Sequence, residues 1–372
     1  MKNISYIMPN WFGTGLSNQL FFIIWGIINA HNNKQKILII DKFRLEPCTE
    51  NMCYVSEILD LDALNIILKN FDIELVDSKN INFNLIKATY GSEDNYFDIT
   101  NEIKREFYSK NKISIPSRYS LNDLKGDPIL GVRKMLKIYY EFNGKEFVDE
   151  YDEYLFDGVN IDLNSPSVVQ SWNEIDLLIK NQRPLFSYLL KNMRFVDKFY
   201  KLTDNIILTD KNKDYIYIND LNTLNKKINV IHLRLEKDMT FNMSGHNNME
   251  EKVFIKELER KYIQLIEKYF DKNDIIYILS YELDNNVIKF LRDNNYEFYF
   301  TKKNLFEWRE PHAIVDLLLS EKCSGTFIGN WQHHKSDNMG STFSYVIDVR
   351  IKEHIQRVFI DLYDITKEEI VI

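Results

Sequence analysis

From Lys227 to the C-terminus, short apolar runs typical of buried β-strands alternate with helical patterns. The run "KINVIHLRL" is followed by "EKVFIKELERKYIQLIEKYF", in which large apolar and aromatic side chains recur every three or four positions. The side chains on that face are Phe254, Leu258, Tyr262, Leu265 and Tyr269. Strands that alternate with amphipathic helices predict a parallel sheet covered by helices on both faces. This half is therefore predicted to be a doubly wound α/β domain.

The same alternation continues to the end of the chain. The predicted elements, in order, are strand "DIIYILS", helix "NNVIKFLRDN", strand "YEFYFT", helix "PHAIVDLLLSEKC", strand "GTFIG" and helix "GSTFSYVIDVRI". Each strand is followed by a helix long enough to cross back over the sheet. The carboxyl ends of such parallel strands meet along one edge, which is where open α/β sheets bind ligands.

The first half contains one unit of the same kind. "ISYIM" is predicted as a strand, Gln19–His31 as a helix and Lys36–Asp41 as a second strand, with a glycine-containing loop after the first strand. Ser56 is predicted as the N-cap of the next helix. The stretch from Thr89 to Asp162 has few periodic patterns. The first half is thus also predicted to be Rossmann-like, on less complete grounds.

A length of 372 residues favours two domains. The helical pattern from Ser171 to Lys201 is interrupted by Pro184, which favours a hinge in that segment. The predicted domains are therefore residues 1–180 and residues 181–372.

Composition and charge exclude several classes of protein. The net charge is −8, whereas a protein that binds nucleic acid along a groove normally carries an excess of Lys and Arg. Cys48, Cys53 and Cys323 have neither the spacing of a zinc site nor that of a disulfide framework, although a Cys48–Cys53 bridge stays open. The apolar stretch Leu20–Ala30 is too short to span a bilayer, and the N-terminus lacks the pattern of a signal peptide. A soluble, cytoplasmic protein without a membrane span is expected.

The strand at Lys227–Leu235 ends in charge, and this is the leading candidate site. His232 and Arg234 alternate with apolar residues, so both lie on one face of the strand, and Glu236 and Asp238 follow. A guanidinium matches adjacent phosphate oxygens with forked hydrogen bonds, which makes Arg234 a candidate ligand of a diphosphate. An ion pair of Arg234 with either acid, and a hydrogen-bonded core role for His232, are the structural alternatives.

A second candidate site follows the strand "FIGN". Gly340, Ser341 and Thr342 open a helix, whose free N–H groups and dipole favour an anion. The structural alternative is ordinary N-capping by Ser341. His333 and His334 are adjacent, so their rings point apart, and no third ligand stands at metal-binding spacing.

A third candidate site is the loop "GTGLSNQL". No lysine follows its glycines, so the phosphate-loop motif is absent. Gly13 and Gly15 permit close approach of a ligand to the backbone, and Asn18 stands at the start of the predicted helix. All three candidate sites follow predicted strands and can therefore face one cleft.

Taken together, four segments resemble the protein O-fucosyltransferase-like glycosyltransferase superfamily. They are "GLSNQL", "HLRLEKDM", "AIVDLLLSEKC" and "FIGN…STFS", in the order in which that superfamily has them and across nearly the whole chain. The His-x-Arg segment is most similar to that of the plant branch, which includes O-fucosyltransferases and rhamnosyltransferases. Leu235 stands where several members carry a second arginine.

The resemblance implies a GT-B-like fold, in which two Rossmann-type domains face a central cleft. It implies an inverting, metal-independent glycosyltransferase that moves a deoxyhexose, fucose first, from a nucleotide-diphosphate sugar such as GDP-fucose to a hydroxyl of a glycan or protein. Residues 1–180 would form the acceptor domain and residues 181–372 the nucleotide-sugar domain. The partners are then a nucleotide-sugar donor and a glycan or glycoconjugate acceptor, with no further cofactor.

The same resemblance implies roles for individual residues. Arg234 would hold the phosphates, and His232 the sugar or the ribose. Gly15 and Asn18 would approach the donor, Asp316 would contact the nucleotide base, and Ser341, Thr342 and Phe343 would hold the diphosphate and nucleoside. The general base stays open among Glu236, Asp238 and His246.

Two alternatives to fucosyl transfer remain at this stage. One is a rhamnosyl- or xylosyltransferase of the same fold that uses a UDP- or GDP-sugar. The other is a sugar-nucleotide-binding module without catalysis, which the presence of Arg234 disfavours.

Overall fold

The chain folds into two compact units. A computed structural model describes residues 3–9, 15–92, 94–163, 172–205, 207–209, 215–217, 226–280, 282–301, 305–330 and 341–371. The first unit comprises residues 1–11, 22–43 and 53–170, and the second comprises residues 12–21, 44–52 and 171–372. Two early segments of the chain therefore belong to the unit that the C-terminal half builds.

The described helices and strands alternate along most of the chain. The helices are α1 (Leu16–Asn32), α2 (Leu61–Leu68), α3 (Thr100–Glu106), α4 (Asn122–Lys125), α5 (Trp172–Asn192), α6 (Asp197–Asn205), α7 (Lys237–His246), α8 (Glu251–Tyr269), α9 (Asn286–Asp293), α10 (Arg309–Ser320) and α11 (Thr342–Arg350). The strands are β1 (Ile4–Ile7), β2 (Ile37–Ile40), β3 (Phe43–Arg44), β4 (Met52–Cys53), β5 (Glu74–Asp77), β6 (Phe83–Gly91), β7 (Tyr96–Asp98), β8 (Tyr108–Ser109), β9 (Lys112–Ile115), β10 (Met135–Phe142), β11 (Lys145–Asp152), β12 (Val159–Asp162), β13 (Ile207–Thr209), β14 (Tyr215–Tyr217), β15 (Ile228–His232), β16 (Ile275–Leu279), β17 (Glu297–Thr301), β18 (Thr326–Gly329), β19 (Gln356–Ile360) and β20 (Glu368–Val371). The predicted α/β class is confirmed.

The second unit contains one large sheet with the order β14-β13-β17-β16-β15-β18-β19-β20. The five central strands, from β17 to β19, are parallel, and the outer strands pair antiparallel. The chain moves outward from β15 through β16 to β17, then returns to the other side of β15 as β18 and β19. Strand order therefore reverses between β15 and β18, as in a doubly wound sheet, and a crevice opens at such a switch point.

Burial explains why these segments form the sheet centre. Every residue of β15, β16 and β18 is buried, as expected for parallel strands covered on both faces. Helix α8 packs its predicted apolar face against them, with Phe254, Leu258 and Tyr262 fully buried.

The first unit has a shorter parallel sheet and more antiparallel structure. Strands β1, β2 and β5 form a three-stranded parallel sheet. The stretch from β6 to β12, where the sequence pattern was weak, forms antiparallel sheets of the orders β11-β10-β6-β7 and β12-β9-β8. The prediction of a doubly wound first domain is not confirmed, because most strands of this unit pair antiparallel. The periodicity of the sequence did not reveal these strands.

The long hairpin of β10 and β11 is closed by Asn143 and Gly144. Their φ angles are 50° and 79°, and Phe142 pairs directly with Lys145 across the turn. Two successive positive φ values are those of a type I′ turn, for which Asn-Gly is the favoured sequence. The dipeptide in "FNGKEF" was thus a readable hairpin signal.

Helix boundaries correct two sequence-based expectations. Helix α1 begins at Leu16 instead of Gln19. Ser56 is not an N-cap of α2, because that helix begins at Leu61 and the Asp60 carboxylate accepts the Ala63 N–H at 3.0 Å. Aspartate is as good an N-cap as serine, so residue type alone did not select between them.

Helix α5 contains the predicted hinge segment. It runs through Pro184 with a break at Gln182, where φ is −136° and ψ is 33°. Proline cannot donate the helical hydrogen bond, which accounts for the interruption. The predicted domain boundary after residue 180 falls within this helix and stays a prediction.

The apolar run at Leu20–Ala30 lies in α1, and most of its side chains are buried. Within the described ranges, none of the helices combines the length and the apolar character needed to cross a membrane. Cys48 is exposed, Cys53 is partly exposed and Cys323 is buried, and all three are free thiols. The Cys48–Cys53 bridge that the sequence left open is absent.

Candidate functional site

A cavity of about 460 Å³ lies in the second unit, where the central strands of its sheet end. Its walls come from the residues that follow β15 to β18 and from the start of α1. The lining residues are Gly15, Leu16, Ser17, Asn18, Glu46, His232, Arg234, Glu236, Leu279, Ser280, Thr301, Phe306, Glu307, Trp308, Arg309, Glu310, His312, Ala313, Asp316, Ser341, Thr342 and Phe343. A volume of this size suits a drug-sized or nucleotide-sized ligand.

Nine of the residues that the sequence singled out line the cavity. Those on its wall are Gly15, Asn18, His232, Arg234, Glu236, Asp316, Ser341, Thr342 and Phe343. Asp238 lies in α7, but its side chain is outside the described part of the chain. Residues Gly13, Gly340, His333 and His334 are also outside the described part of the chain. His246 is the last residue of α7, where its ring packs against Tyr363 at 4.9 Å, and it does not line the cavity.

Arg234 stands two residues beyond the end of β15. One of its guanidinium nitrogens lies 2.8 Å from a Glu236 carboxylate oxygen, and both side chains are about one-fifth exposed. The ion pair that the sequence analysis gave as an alternative is therefore present. A carboxylate on one side of a guanidinium orients it without using all of its five N–H donors.

The backbone at this strand end is fixed by a buried network around Tyr262 and Asn330. The Tyr262 hydroxyl accepts the Arg234 N–H at 3.0 Å and donates to Oδ1 of Asn330 at 2.7 Å. The Asn330 amide nitrogen donates to the His232 carbonyl oxygen at 2.9 Å. The network thus joins the ends of β15 and β18, and it leaves the Arg234 backbone little freedom.

Sequence reasoning did not identify either member of this network as part of the site. Tyr262 was assigned to the apolar face of α8. This assignment is correct for its ring, but it did not predict the hydrogen bonds of its hydroxyl group. Asn330 was visible only as the last residue of "FIGN". A buried tyrosine hydroxyl requires a partner, which was the available clue.

His232 is buried beside Arg234 and is held by Ser344. The Ser344 oxygen accepts the Asn330 N–H at 2.9 Å and lies 2.8 Å from Nδ1 of His232. Burial, followed by the positive charge of Arg234, lowers the pKa of His232 to about 3. The Phe343 ring meets the imidazole edge-to-face at 5.3 Å. His232 is therefore a neutral, fixed imidazole at physiological pH.

The N-termini of helices α1 and α11 meet at the cavity. The Thr342 hydroxyl donates to Oδ1 of Asn18 at 2.7 Å, and the Ser17 hydroxyl lies 2.9 Å from the same Thr342 oxygen. Ser341 occupies the N-cap position of α11, but its side chain makes no capping hydrogen bond. The N-capping alternative is thus not observed, and two positive helix ends adjoin one cavity.

Asp316 lies in α10 and faces the ends of β16 and β17. Its Oδ1 accepts the Tyr277 hydroxyl at 2.6 Å and also the Thr301 hydroxyl. Loss of hydration on burial raises the pKa of Asp316 to about 6, although both hydroxyls lower it. Nearby, Nε2 of His312 accepts the Phe306 N–H at 3.0 Å. This end of the cavity therefore combines a carboxylate with aromatic walls.

Glu310, in the first turn of α10, was not identified from the sequence. It is 1% exposed, and its Oε2 accepts the Leu16 N–H at the start of α1. Burial raises the pKa of Glu310 to about 7. An acid in the first turn of a helix is so common that its presence before Pro311 carried no signal of a site.

A metal site was not expected from the sequence. In the part of the chain that the structure describes, no group of three or more His, Cys, Asp or Glu side chains is arranged to hold a metal ion.

Comparisons with known proteins give structural neighbours but no sequence relatives. No protein-family model matches the chain, and no curated protein matches it. Among solved structures, a POFUT1 complex with GDP-fucose is similar, with a TM-score of 0.45 and 12% identity over 94% of this chain and 93% of that one. A POFUT1 complex with GDP has a TM-score of 0.46 and 10% identity over 96% and 97% of the two chains.

Proposed function

We propose that this chain is an inverting glycosyltransferase that moves a deoxyhexose from a nucleotide-diphosphate sugar to a hydroxyl of a glycan or protein. Fucose is the favoured deoxyhexose. One observation carries the proposal: Arg234 and the N-terminus of α11 line a single cavity at the switch point of a doubly wound sheet. The motifs that resemble the O-fucosyltransferase-like superfamily supply many of the residues that line this cavity, Arg234 and Thr342 among them. GDP-fucose is the donor that the resemblance favours.

The diphosphate would bind between Arg234 and the start of α11. Arg234 offers forked N–H donors, and the first turn of α11 offers backbone N–H groups without an acceptor inside the helix. Glu236 would hold the guanidinium in place through the 2.8 Å ion pair. The buried network around Tyr262 would fix the backbone beneath it. Both cationic elements would thus be in position before the donor arrives.

The nucleoside would extend toward Asp316. A carboxylate accepts hydrogen bonds from the N–H groups on one edge of guanine, and its second oxygen is available beside the Tyr277 contact. Phe306 and Trp308 also line the cavity, and they would pack on the nucleotide base. Asn18, presented next to Gly15 and held by Thr342, would contact the donor from the start of α1.

His232 would act as a neutral hydrogen-bond donor to the sugar or ribose. The Ser344 oxygen already accepts one N–H, so its own O–H is available to donate to Nδ1 of His232. That arrangement leaves the imidazole proton on Nε2, the nitrogen further from Ser344. Because the pKa of His232 is about 3, the ring stays uncharged and adds no second cation beside Arg234.

The proposed chemistry is a single displacement at the anomeric carbon. An acceptor oxygen forms a bond to that carbon as the bond to the diphosphate oxygen breaks, and the electron pair moves onto the diphosphate. Arg234 and the N-terminus of α11 would stabilise that developing negative charge, and the loss of such a donor typically costs ~100-fold or more in rate. The second unit would bind the donor, and the first unit would serve the acceptor.

The test is nucleotide binding to the full chain and to Arg234→Ala. Melting temperature and calorimetric affinity are measured with GDP, UDP and ADP and with GDP-fucose. We expect GDP and GDP-fucose to stabilise the wild type and Arg234→Ala to weaken this binding at least tenfold, because the bound phosphates lose a charged partner. Arg260→Ala is the matched control, since Arg260 is an exposed arginine on α8 paired with Glu257.

The other outcomes separate the alternatives. Stabilisation by UDP instead of GDP would favour a rhamnosyl- or xylosyltransferase. Nucleotide binding without release of GDP from GDP-fucose, at any acceptor tried, would favour a binding module. No stabilisation by any nucleotide at millimolar concentration would remove the proposal.

A further inference from the structure

The carboxylate of Glu310 lies on the cavity wall with one oxygen held and the other unused. Its Oε2 accepts the Leu16 N–H, which fixes the side chain against the start of α1. Its Oε1 is buried and has no hydrogen-bond partner among the residues that the structure describes. Buried carboxylate oxygens are normally hydrogen-bonded, so an oxygen left without a partner at a cavity indicates a functional role.

Three neighbouring groups set the charge around this carboxylate. Nε of Arg309 lies 3.9 Å from Oε1, too far for a hydrogen bond but close enough to favour the ionised form. The Glu46 carboxylate, which accepts the backbone N–H of Arg309 at 2.8 Å, disfavours a negative charge on Glu310. The positive N-terminal end of α1 favours a negative charge on Glu310. With the effect of burial, these opposing influences leave the pKa of Glu310 at about 7.

We propose that Glu310 is the general base of the transfer and that its Oε1 accepts the proton of the attacking hydroxyl. The proposal rests on the function proposed above. As the hydroxyl oxygen bonds to the anomeric carbon, its proton passes to Oε1 and the electron pair of the breaking bond leaves with the diphosphate. Glu310 is then neutral, and it returns its proton to solvent after the products leave.

Glu310 suits this role better than the acids that the sequence offered. Glu236 is engaged in an ion pair with Arg234 at 2.8 Å, whereas Oε1 of Glu310 makes no hydrogen bond among the described residues. A base with a pKa close to the working pH is the most effective, because it is ionised and still binds a proton well. Glu310 also stands on α10, a rigid element, whereas His246 lies outside the cavity.

The test measures release of GDP from GDP-fucose with water as the acceptor, because the natural acceptor is unidentified. Glu310→Gln is the central variant. Its amide oxygen still accepts the Leu16 N–H, but the position of Oε1 is taken by an NH₂ group, whose lone pair is delocalised into the carbonyl and does not accept a proton. We expect the rate at pH 8 to fall ~100-fold or more, as is usual for loss of a general base. The affinity for GDP should change less than threefold.

The pH profile provides a readout that a purely structural role would not change. In the wild type the rate should rise from pH 5.5, with a midpoint close to 7, and then level off. In Glu310→Gln that rise should be absent, and Glu310→Asp should regain part of the rate.

A wild-type rate less than tenfold above that of Glu310→Gln, including a wild type that releases no GDP, would overturn the inference. So would an unchanged pH profile in the variant. A small rate ratio or an unchanged profile leaves the proposed function intact if GDP still binds and Arg234→Ala still weakens that binding, whereas a wild type that releases no GDP with any acceptor favours the binding module. Failure of the wild type to bind GDP would instead remove the proposed function, and this inference with it.

Discussion

The two parallel sheets of this chain both carry polar residues at the carboxyl ends of their strands, but these residues serve different purposes. In the first unit, Asp77 ends β5 and both of its oxygens accept backbone N–H groups, from Ser56 at 3.0 Å and Lys79 at 2.9 Å. In the second unit, Glu310 stands in the first turn of the helix that follows β17, where Oε2 accepts a backbone N–H and Oε1 has no hydrogen-bond partner among the described residues. The difference shows that a charged residue after a strand indicates a site only when its polar atoms are not all hydrogen-bonded to backbone groups.

The largest effect that tests this comparison is expected at Asp77. Asp77→Ala would leave two N–H groups without their acceptor in a buried setting, because the carboxylate is only 2% exposed. We expect the free energy of unfolding, measured by urea denaturation, to fall by about 2–4 kcal/mol. Nucleotide affinity of the folded variant should be unchanged.

The exposed Asp157 gives the control for that measurement. Asp157→Ala should change the free energy of unfolding by less than ~0.5 kcal/mol. A loss of nucleotide affinity in fully folded Asp77→Ala would show that the first sheet also builds a ligand site, so that the two sheets would not differ in this respect.

A smaller effect is expected from the ionisation of Asp316. The pKa of Asp316 is raised to about 6, so the folded protein takes up this proton at a higher pH than the unfolded chain does. Ionisation therefore lowers the free energy of unfolding as the pH rises from about 4 to about 6, and this decline should be reduced in Asp316→Asn.

Ligand binding should depend on the same proton in the opposite sense. A base that donates N–H groups needs the ionised carboxylate, so GDP-fucose affinity should increase as the pH rises through about 6. Calorimetry should show this increase in the wild type and its loss in Asp316→Asn, with affinity about tenfold lower above pH 7. The titration uses GDP-fucose instead of GDP, because GDP-fucose has no terminal phosphate group that would itself titrate near pH 6. An equal pH dependence in the wild type and in Asp316→Asn would show that the nucleotide base does not bind to Asp316.

The smallest expected effect separates backbone conformation from packing. In the first unit Gly144 has a φ of 79° in the β10–β11 turn, and a methyl group there would meet no atom within 4 Å. Gly144→Ala should therefore lower the free energy of unfolding by about 1 kcal/mol through backbone strain alone. Gly245 lies in α7, where a methyl group is equally unhindered. Gly245→Ala should raise stability by about 0.5–1 kcal/mol, so the two substitutions should differ in sign.

How far the sequence could be read depended on the kind of strand. Buried parallel strands such as β15 and β16 are continuous apolar runs between helices, and they were predicted correctly. The strands from β6 to β12 are short or alternate with polar residues, and their partners lie far apart in sequence. Phe83 pairs with Phe142, for example, and nothing local specifies that pairing. Only the Asn143-Gly144 turn carried a usable signal.

The same distinction applies to the site. Arg234 and the start of α11 were predicted because each follows a strand and has a charge or a helix end to offer. Glu310 was not, since its importance depends on the position of Leu16, a contact that joins residues 294 positions apart. Contacts of this range become visible only in the folded chain.

The early segments that belong to the second unit have a consequence for how the protein is made and dissected. Ser17 and Asn18 contact Thr342 across 325 and 324 positions, so these hydrogen bonds form only after the segment around Thr342 has been synthesised. A fragment that begins at Ser171 would contain the entire large sheet, yet it would lack a wall of the cavity and the N–H that holds Glu310. The second unit is thus continuous in space but cannot be obtained by a single cut in the gene.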